Sequence, residues 1–151
     1  MGEIVVTNQP VRLVTTVGSC IATCIYDRKK RLGGMAHIVL PQHRNDKSSE
    51  FKGKFADIAI PALMSKILSM GSSRSDLTVK IAGGSNMFPN IERNVLNIGQ
   101  ENTNAVLASL KREGFYTIPQ DLGGVKGRKI EFDVTTGCML IERLNGKKVE
   151  L

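Results

Sequence analysis

The feature that most constrains the fold of this chain is a predicted β-hairpin between residues 21 and 40. Ile21 to Tyr26 is rich in β-branched residues, and Met35 to Leu40 is mostly apolar before Pro41 ends the pattern. The charged residues from Asp27 to Arg31 separate these two runs. We therefore predict two antiparallel strands joined by a short loop.

The length of this loop sets which residues of the two strands face each other. Four-residue loops are common in hairpins, and a loop from Asp27 to Lys30 would pair Tyr26 with Arg31. Counting back along the ladder then places Cys20 opposite His37. Residues that are directly opposed lie on the same face of a sheet, with their side chains close together.

Cys20 and His37 would form a nucleophilic site if the hairpin brought them together. A thiol becomes a good nucleophile when a nearby imidazole can take its proton. This pairing is typical of cysteine-dependent acyl transfer. A bulge at Gly33 and Gly34 would instead slip the register by one residue and place the two side chains on opposite faces.

Length and composition predict one domain spanning residues 1–151, because 41% hydrophobic residues can fill a single core. The sequence has no run of about 18 apolar residues and no secretory pattern at its amino terminus, so we expect a cytoplasmic protein without membrane insertion. Three cysteines, an odd number, fit reduced thiols better than disulfides. We expect Cys24 and Cys138 to be buried apolar side chains, and we expect no cofactor.

The net charge of +7 raises the question of a nucleic-acid partner. Two tyrosines, five phenylalanines and no tryptophan offer little for base stacking, and no duplex-reading motif appears, so we expect no nucleic acid. The basic residues are dispersed along the chain, which predicts a solvated surface. The alternative is attraction to an acidic protein partner, which would make association sensitive to salt.

The rest of the chain predicts a mixture of helices and strands without internal repeats. Apolar residues at helical spacing predict a helix from Phe55 to Met70, in which Pro61 either causes a kink or delays the regular part until about Ile60. A second helix is expected from about Glu101 to Arg112. The further predicted strands are Leu77 to Ala82, Phe115 to Ile118, Lys129 to Val134 and Cys138 to Leu144.

A zinc site is an alternative use for the same cysteine and histidine. Thiolate and imidazole both suit zinc, and Cys20, Cys24, His37 and His43 are the available ligands. An extended strand would hold the two sulfur atoms too far apart to chelate one ion. We therefore expect no metal.

Two glycine pairs, Gly83-Gly84 and Gly123-Gly124, fit no phosphate-loop pattern, and we interpret them as turns. Met87 and Phe88 follow the first pair. They are either core residues or an exposed apolar contact for a protein partner, which solvent accessibility distinguishes.

Several segments occur in an order that makes them specific together, although a single Gly-Ser-Cys would be weak. These segments are Val17-Gly18-Ser19-Cys20, Gly34-Met35-Ala36-His37 with Leu40-Pro41, Lys54-Phe55-Ala56-Asp57, Gly83-Gly84 with Met87-Phe88, Ile98-Gly99-Gln100-Glu101-Asn102, Asp121-Leu122-Gly123-Gly124 and Gly127-Arg128-Lys129. Along nearly its whole length the chain thereby resembles the bacterial chemoreceptor glutamine deamidases known as CheD.

The resemblance implies a protein-glutamine deamidase that converts glutamines of methyl-accepting chemotaxis receptors to glutamates. It implies that Cys20 is the nucleophile and that His37 is its partner. The family also uses a threonine shortly before the cysteine, and here Thr15 is favoured over the adjacent Thr16. The implied fold is α+β, a single layered domain of β-sheet with flanking helices, similar to toxin-type cysteine deamidases.

In the implied reaction the Cys20 thiolate attacks the glutamine carboxamide, and His37 accepts the thiol proton and then protonates the departing ammonia. Water activated by His37 hydrolyses the thioester, backbone N–H groups near Ser19 and Cys20 stabilise the oxyanion, and the threonine orients the imidazole. Two alternatives stay open. One is a regulatory module that binds a CheC-like phosphatase, a partner that the resemblance also implies, and the other is ester hydrolysis on methylated receptor glutamates.

Overall fold

The computed structural model describes residues 1–43, 52–87, 97–143 and 146–151. Within these residues neither of the two α-helices is long and apolar enough to cross a membrane. The helices are α1 (Ala56–Ser69) and α2 (Ile98–Arg112), and a short 3-10 helix spans Arg74–Asp76. The strands are β1 (Ile4–Thr7), β2 (Arg12–Val17), β3 (Ile21–Asp27), β4 (Leu32–Ile38), β5 (Leu77–Gly83), β6 (Gln120–Leu122), β7 (Arg128–Asp133), β8 (Met139–Arg143) and β9 (Lys148–Glu150).

The described strands form two sheets. The first sheet has the order β1-β4-β3-β5-β6, and the second has the order β2-β7-β8-β9. Among the described strands every pairing is antiparallel except that of β5 with β6, which is parallel. The predicted α+β class is confirmed, whereas the likeness to toxin-type cysteine deamidases stays a prediction.

The first sheet is covered on both faces, as the side chains along β3 show. Ile21 and Ile25 belong to a core shared with α1 and α2, whereas Ala22 and Tyr26 belong to a core shared with Phe132 and other residues of the second sheet. The molecule therefore has three layers, which are the helices, the five-stranded sheet and the four-stranded sheet. Because both faces are covered, β3 and β4 are buried along their whole length.

The predicted hairpin is present as β3 and β4, but its register differs by two residues from the prediction. Ala22, rather than Cys20, lies opposite His37. Pairing continues without interruption through Gly33 and Gly34, so the one-residue slip does not occur. A shift of two residues leaves each side chain on its predicted face, because side-chain direction repeats every second residue.

The cause of the shift is Asp27, which the sequence placed in the loop. Its carboxylate accepts hydrogen bonds from the backbone N–H groups of Lys29 and Lys30, at 2.9 and 3.1 Å. The turn therefore occupies residues 28–31, and Asp27 closes the ladder by pairing with Leu32. The loop has the predicted length but starts one residue later.

Helix α1 starts and ends within one residue of the predicted helix. It continues through Pro61, so the predicted delay of the regular part until Ile60 is wrong. A proline inside a helix costs about 3 kcal/mol. Here Pro61 is exposed while Leu63 and Ile67 are completely buried, and burial of that apolar face offsets the lost hydrogen bond.

Helix α2 begins three residues before the predicted start. Asn97 caps it, since its side-chain oxygen accepts a hydrogen bond from the N–H of Gln100 at 3.1 Å. The buried face of α2 carries the polar residues Asn102 and Ser109 beside apolar ones such as Leu110. These polar residues weaken the apolar periodicity from which the helix was predicted.

The predicted strands differ from the structure mainly at the sheet edges. Residues 115–118 are not a strand, because the chain joins the first sheet only at β6. The other three predicted strands correspond to β5, β7 and β8, and Leu144 lies outside the described residues. The unpredicted strands β1, β2, β6 and β9 all lie at edges of the two sheets, where half-buried residues give a weak sequence pattern.

Candidate active site

A hydrogen bond between the two sheets joins Thr15 to His37. Thr15 lies on β2 of the second sheet, His37 lies on β4 of the first, and the distance from Thr15 Oγ1 to His37 Nδ1 is 2.7 Å. Side chains alternate along β2, so the neighbouring Thr16 is exposed on the opposite face. Of the two threonines that the sequence offered, Thr15 is the one that contacts the imidazole.

The second ring nitrogen of His37 is available for chemistry. His37 is 8% exposed, and its Nε2 is buried without a hydrogen-bond partner among the described residues. When Nδ1–H donates to the Thr15 hydroxyl oxygen, Nε2 carries the free lone pair. A buried nitrogen with no partner is uncommon, and it fits a group that exchanges a proton with a substrate or a nucleophile.

The backbone of His37 is fixed by the amino-terminal segment. The N–H of His37 donates to the carbonyl of Glu3, and the N–H of Gly2 donates to the carbonyl of His37, each at 3.0 Å. The imidazole is thus held by strand pairing on one side and by Thr15 on the other. Such support keeps a reacting ring in one orientation.

Cys20 lies immediately before β3 and is half-buried. Its side chain packs against the core between the two sheets, on the same face of the first sheet as Ala22 and His37. Since Ala22 is directly opposite His37, Cys20 is a diagonal neighbour of the imidazole rather than its paired residue. Diagonal neighbours on a sheet lie roughly 7–8 Å apart.

The protonation of the two groups follows from their burial. Burial raises the pKa of the Cys20 thiol above its ordinary value of 9.0, an effect that the amino-terminal ammonium and the N–H of Cys20 itself oppose. Burial also lowers the pKa of His37 below 6.5, and the same ammonium lowers it further. At neutral pH Cys20 is therefore a thiol and His37 is a neutral imidazole, so that a thiolate at Cys20 would require transfer of its proton to a base.

The loop that carries Cys20 packs against the turn after β5. The N–H of Gly84 donates to the carbonyl of Cys20 at 2.9 Å, and the N–H of Ser85 donates to the carbonyl of Gly18 at 2.8 Å. Gly83 has φ +130°, and a Cβ atom there would lie 2.1 Å from the Cys20 carbonyl oxygen. Glycine is needed at this position because both the conformation and the close approach exclude a side chain.

A small cavity of about 210 Å³ opens beside Thr15 and His37, with Glu3 and Arg12 on its walls. Cys20 does not line this cavity. The cavity therefore reaches the imidazole and the threonine but not the half-buried Cys20.

The other two cysteines differ from Cys20 in their surroundings. Cys24 is buried between the sheets, as predicted, and burial raises the pKa of its thiol far above the ordinary range. Cys138 is half-buried, so its predicted burial is wrong. Among the described residues no three His, Cys, Asp or Glu side chains lie close enough to hold a metal ion, and the lack of a cofactor stays a prediction.

Arg128 is a residue whose position the sequence did not indicate. It is 3% exposed, and its guanidinium pairs with the Asp121 carboxylate and donates to Ser85 Oγ at 2.9 Å. The prediction of a solvated basic surface is therefore wrong for Arg128. A signal was present, since Asp121 and Arg128 belong to two of the segments that carried the family resemblance. The charge pattern alone did not distinguish these two residues from the exposed charged residues.

Met87 is 39% exposed, and its sulfur lies close enough to Gly18 that a Cβ atom there would be 2.9 Å away. Met87 is therefore not a core residue, and its side chain is partly covered by contact with Gly18. Phe88, the other half of that predicted apolar contact, lies outside the described residues.

Known proteins match this chain over almost its whole length. The family model described as CheD chemotactic sensory transduction matches residues 39–143. A relative from Methanococcus maripaludis, named probable chemoreceptor glutamine deamidase CheD, is 39% identical over 95% of this chain and 92% of its own length. The chemoreceptor glutamine deamidase CheD of Thermotoga maritima is 36% identical over 97% of this chain and 90% of its own length.

These matches place the chain in the CheD family. The family model begins after His37, so the segments of Cys20 and His37 rest on the relatives. A relative from Desulfitobacterium hafniense, with the same name as the first, is 40% identical over 99% of this chain and therefore spans both segments. The predicted membership of the family is confirmed.

Proposed function

We propose that this chain is a protein-glutamine deamidase that converts glutamines of chemotaxis receptors to glutamates. The relatives named above carry that activity in their names. The observation that carries the proposal is the hydrogen bond between Thr15 Oγ1 and His37 Nδ1. Nε2 of the imidazole then has no partner among the described residues, and His37 lies on the face of the sheet where Cys20 lies. Thiol, base and orienting hydroxyl are the groups that cysteine-dependent amide hydrolysis requires.

The first half of the reaction forms a thioester. The Cys20 thiol gives its proton to Nε2 of His37, and the sulfur attacks the carboxamide carbon of the glutamine. The tetrahedral intermediate collapses as the C–N bond breaks, and the imidazolium returns the proton to the nitrogen, which leaves as ammonia. Backbone N–H groups of the Cys20 loop stabilise the oxyanion.

The second half of the reaction releases glutamate. Nε2 of His37 takes a proton from water, and the resulting hydroxide adds to the thioester carbon. The C–S bond then breaks, and the departing sulfur recovers the proton from the imidazolium. Thr15 holds the Nδ1–H throughout, so that Nε2 alternates between base and acid without a change of ring orientation.

The experiment that tests this proposal is mass spectrometry of a receptor cytoplasmic fragment after incubation with the protein. Wild type should convert glutamine to glutamate, Cys20→Ala should not, and Cys138→Ala should behave as wild type because Cys138 is a half-buried thiol outside the site. Conversion by Cys20→Ala would remove Cys20 from the assigned role, and loss of conversion in Cys138→Ala would show that the effect of removing a thiol is not specific to Cys20.

A binding role would use the same protein differently. A CheC-like phosphatase is the partner for such a role, and its binding should survive Cys20→Ala because that change removes only one sulfur atom. Methyl-ester hydrolysis would release methanol from methylated receptor in place of ammonia from glutamine. A single domain over residues 1–151 and a cytoplasmic location are parts of the same proposal.

A further inference from the structure

Three consecutive carbonyl groups before β3 all accept hydrogen bonds from the same part of the molecule. Gly18 and Cys20 accept from the backbone N–H groups of Ser85 and Gly84. The carbonyl between them, that of Ser19, accepts from the side-chain amide of Asn102 at 2.9 Å. The Cys20 loop is therefore fixed by one side chain as well as by two backbone contacts.

The direction of these carbonyls fixes the direction of the N–H groups in the same peptides. In a planar trans peptide the C=O and the N–H of the next residue point in opposite directions. The N–H of Cys20 thus points away from Asn102 on α2, and the N–H of Ser19 points away from Ser85. Neither donates to a backbone carbonyl among the described residues. The N–H of Cys20 also opposes the rise in the pKa of the Cys20 thiol that burial causes.

Asn102 makes a second contact that connects the loop to the strand of His37. It is 0% exposed on α2, and its Nδ2 also donates to the carbonyl of Val39 at 2.9 Å. Val39 follows the end of β4, two residues after His37. One amide group thereby joins the peptide before Cys20 to the strand that carries the imidazole, and it uses both of its hydrogens to do so.

We propose that Asn102 is a positioning residue that holds the Ser19–Cys20 peptide with its N–H toward the reacting thiol and fixes the spacing between Cys20 and His37. This inference rests on the proposed deamidase function. Buried amides with fully committed donors are costly to place and strongly directional. A hydrophobic residue at this position would leave two carbonyl groups without donors, while the apolar neighbours of α2 would be unaffected.

The test uses two substitutions of Asn102 and one matched control. Asn102→Ala removes both donors, and Asn102→Asp keeps the size of the side chain but replaces the donating nitrogen by oxygen. Ser109→Ala is the control, because Ser109 lies two turns further along the same helix, is 1% exposed, and has a hydroxyl without a partner among the described residues. All three variants change a buried polar group of α2, and only the first two touch the Cys20 loop.

Two readouts separate positioning from general destabilisation. The first is the pH profile of Cys20 alkylation by iodoacetamide, measured by mass spectrometry on peptides containing that cysteine. It should move to higher pH in both Asn102 variants, because the N–H near the sulfur is no longer held in place. The second is deamidation of the receptor fragment, in which kcat should fall about 10²-fold, the effect of losing one oxyanion donor, with little change in KM.

Each result of these measurements either supports the positioning role of Asn102 or contradicts it. Ser109→Ala should match wild type in both readouts. An unchanged alkylation profile and kcat in folded Asn102→Ala would overturn the proposal, as would unfolding of both Asn102 variants, which would assign the residue a structural role alone. If wild type failed to deamidate the receptor, the proposed function would fail, but the alkylation profile would still show whether Asn102 positions Cys20.

Discussion

Two polar clusters lie where the two sheets meet, and their hydrogen bonding differs. The thiol cluster (Thr15, Cys20 and His37) contains neutral groups, and Nε2 of its imidazole has no partner among the described residues. The ion-pair cluster (Ser85, Asp121 and Arg128) contains charged groups. Its guanidinium Nη atoms donate to the Asp121 side chain and carbonyl and to Ser85, while Nε has no partner among the described residues. An unpartnered imidazole nitrogen suits proton exchange, whereas the bonded guanidinium nitrogens fix the loops around them.

The two clusters are also connected. The Ser85 hydroxyl accepts a hydrogen bond from Arg128 and donates one to the carbonyl of Lys126 at 2.7 Å. The backbone N–H of Ser85 donates to the carbonyl of Gly18 in the Cys20 loop. Burial lowers the pKa of Arg128, and the nearby Asp121 carboxylate opposes that effect. The ion-pair cluster thus holds Ser85, which in turn holds the loop that carries Cys20.

The largest expected effect is the loss of the base from the thiol cluster. His37→Gln keeps a polar side chain of similar length but cannot accept and return the thiol proton, so kcat/KM should fall at least about 10⁴-fold. The urea unfolding midpoint should stay close to that of wild type, because the buried Nε2 makes no hydrogen bond among the described residues. Retained activity would show that His37 is not the base of the thiol cluster.

The ion-pair cluster should respond in the opposite sense, through stability. Arg128→Met leaves the Asp121 carboxylate buried with Arg143 as its remaining ion-pair partner among the described residues. Removal of one partner from a buried pair costs about 3–5 kcal/mol in the free energy of unfolding. Lys129→Met is the matched control. It removes an exposed neighbour paired with Glu131 on the surface, and urea unfolding should show little change. Equal loss in both variants would contradict the distinction.

A smaller effect is expected at Thr15, which only orients the ring. Thr15→Val preserves shape and removes the hydroxyl, so kcat/KM should fall roughly fivefold, the equivalent of one hydrogen bond of about 1 kcal/mol. Thr15→Ser should recover most of the rate. Thr16→Val is the control on the exposed face of β2, and a rate loss there equal to that of Thr15→Val would show that the contact is not responsible.

The smallest effect concerns the pH dependence of stability. Burial holds the pKa of His37 in the folded protein below its unfolded value of about 6.5. Below that pH the unfolded chain binds a proton more readily than the folded one, so stability present at neutral pH is lost on acidification, by at most about 1.4 kcal/mol per pH unit. Between about pH 7.5 and 5.5, wild type should lose more stability in urea unfolding than His37→Gln. An equal or smaller loss would mean that the His37 imidazole is exposed to solvent in the folded protein.

The sequence alone determined the elements that depend on neighbouring residues. The alternation of apolar and charged runs predicts the hairpin, helical spacing predicts α1 despite Pro61, and ordered segments indicate the family. These patterns are local, since strand and helix preferences act over a few residues. The shared face of Cys20 and His37 was also predicted, because a shift of two residues leaves it unchanged.

Tertiary structure decided what depends on contacts between distant segments. The choice of Thr15 over Thr16 depends on how β2 packs across the first sheet, and the burial of Arg128 depends on its meeting with Asp121. Asn102 lies more than 60 residues from the two carbonyls it binds, with sequence separations of 83 and 63. No pattern of adjacent residues encodes such contacts, because they form only when separate elements pack against one another.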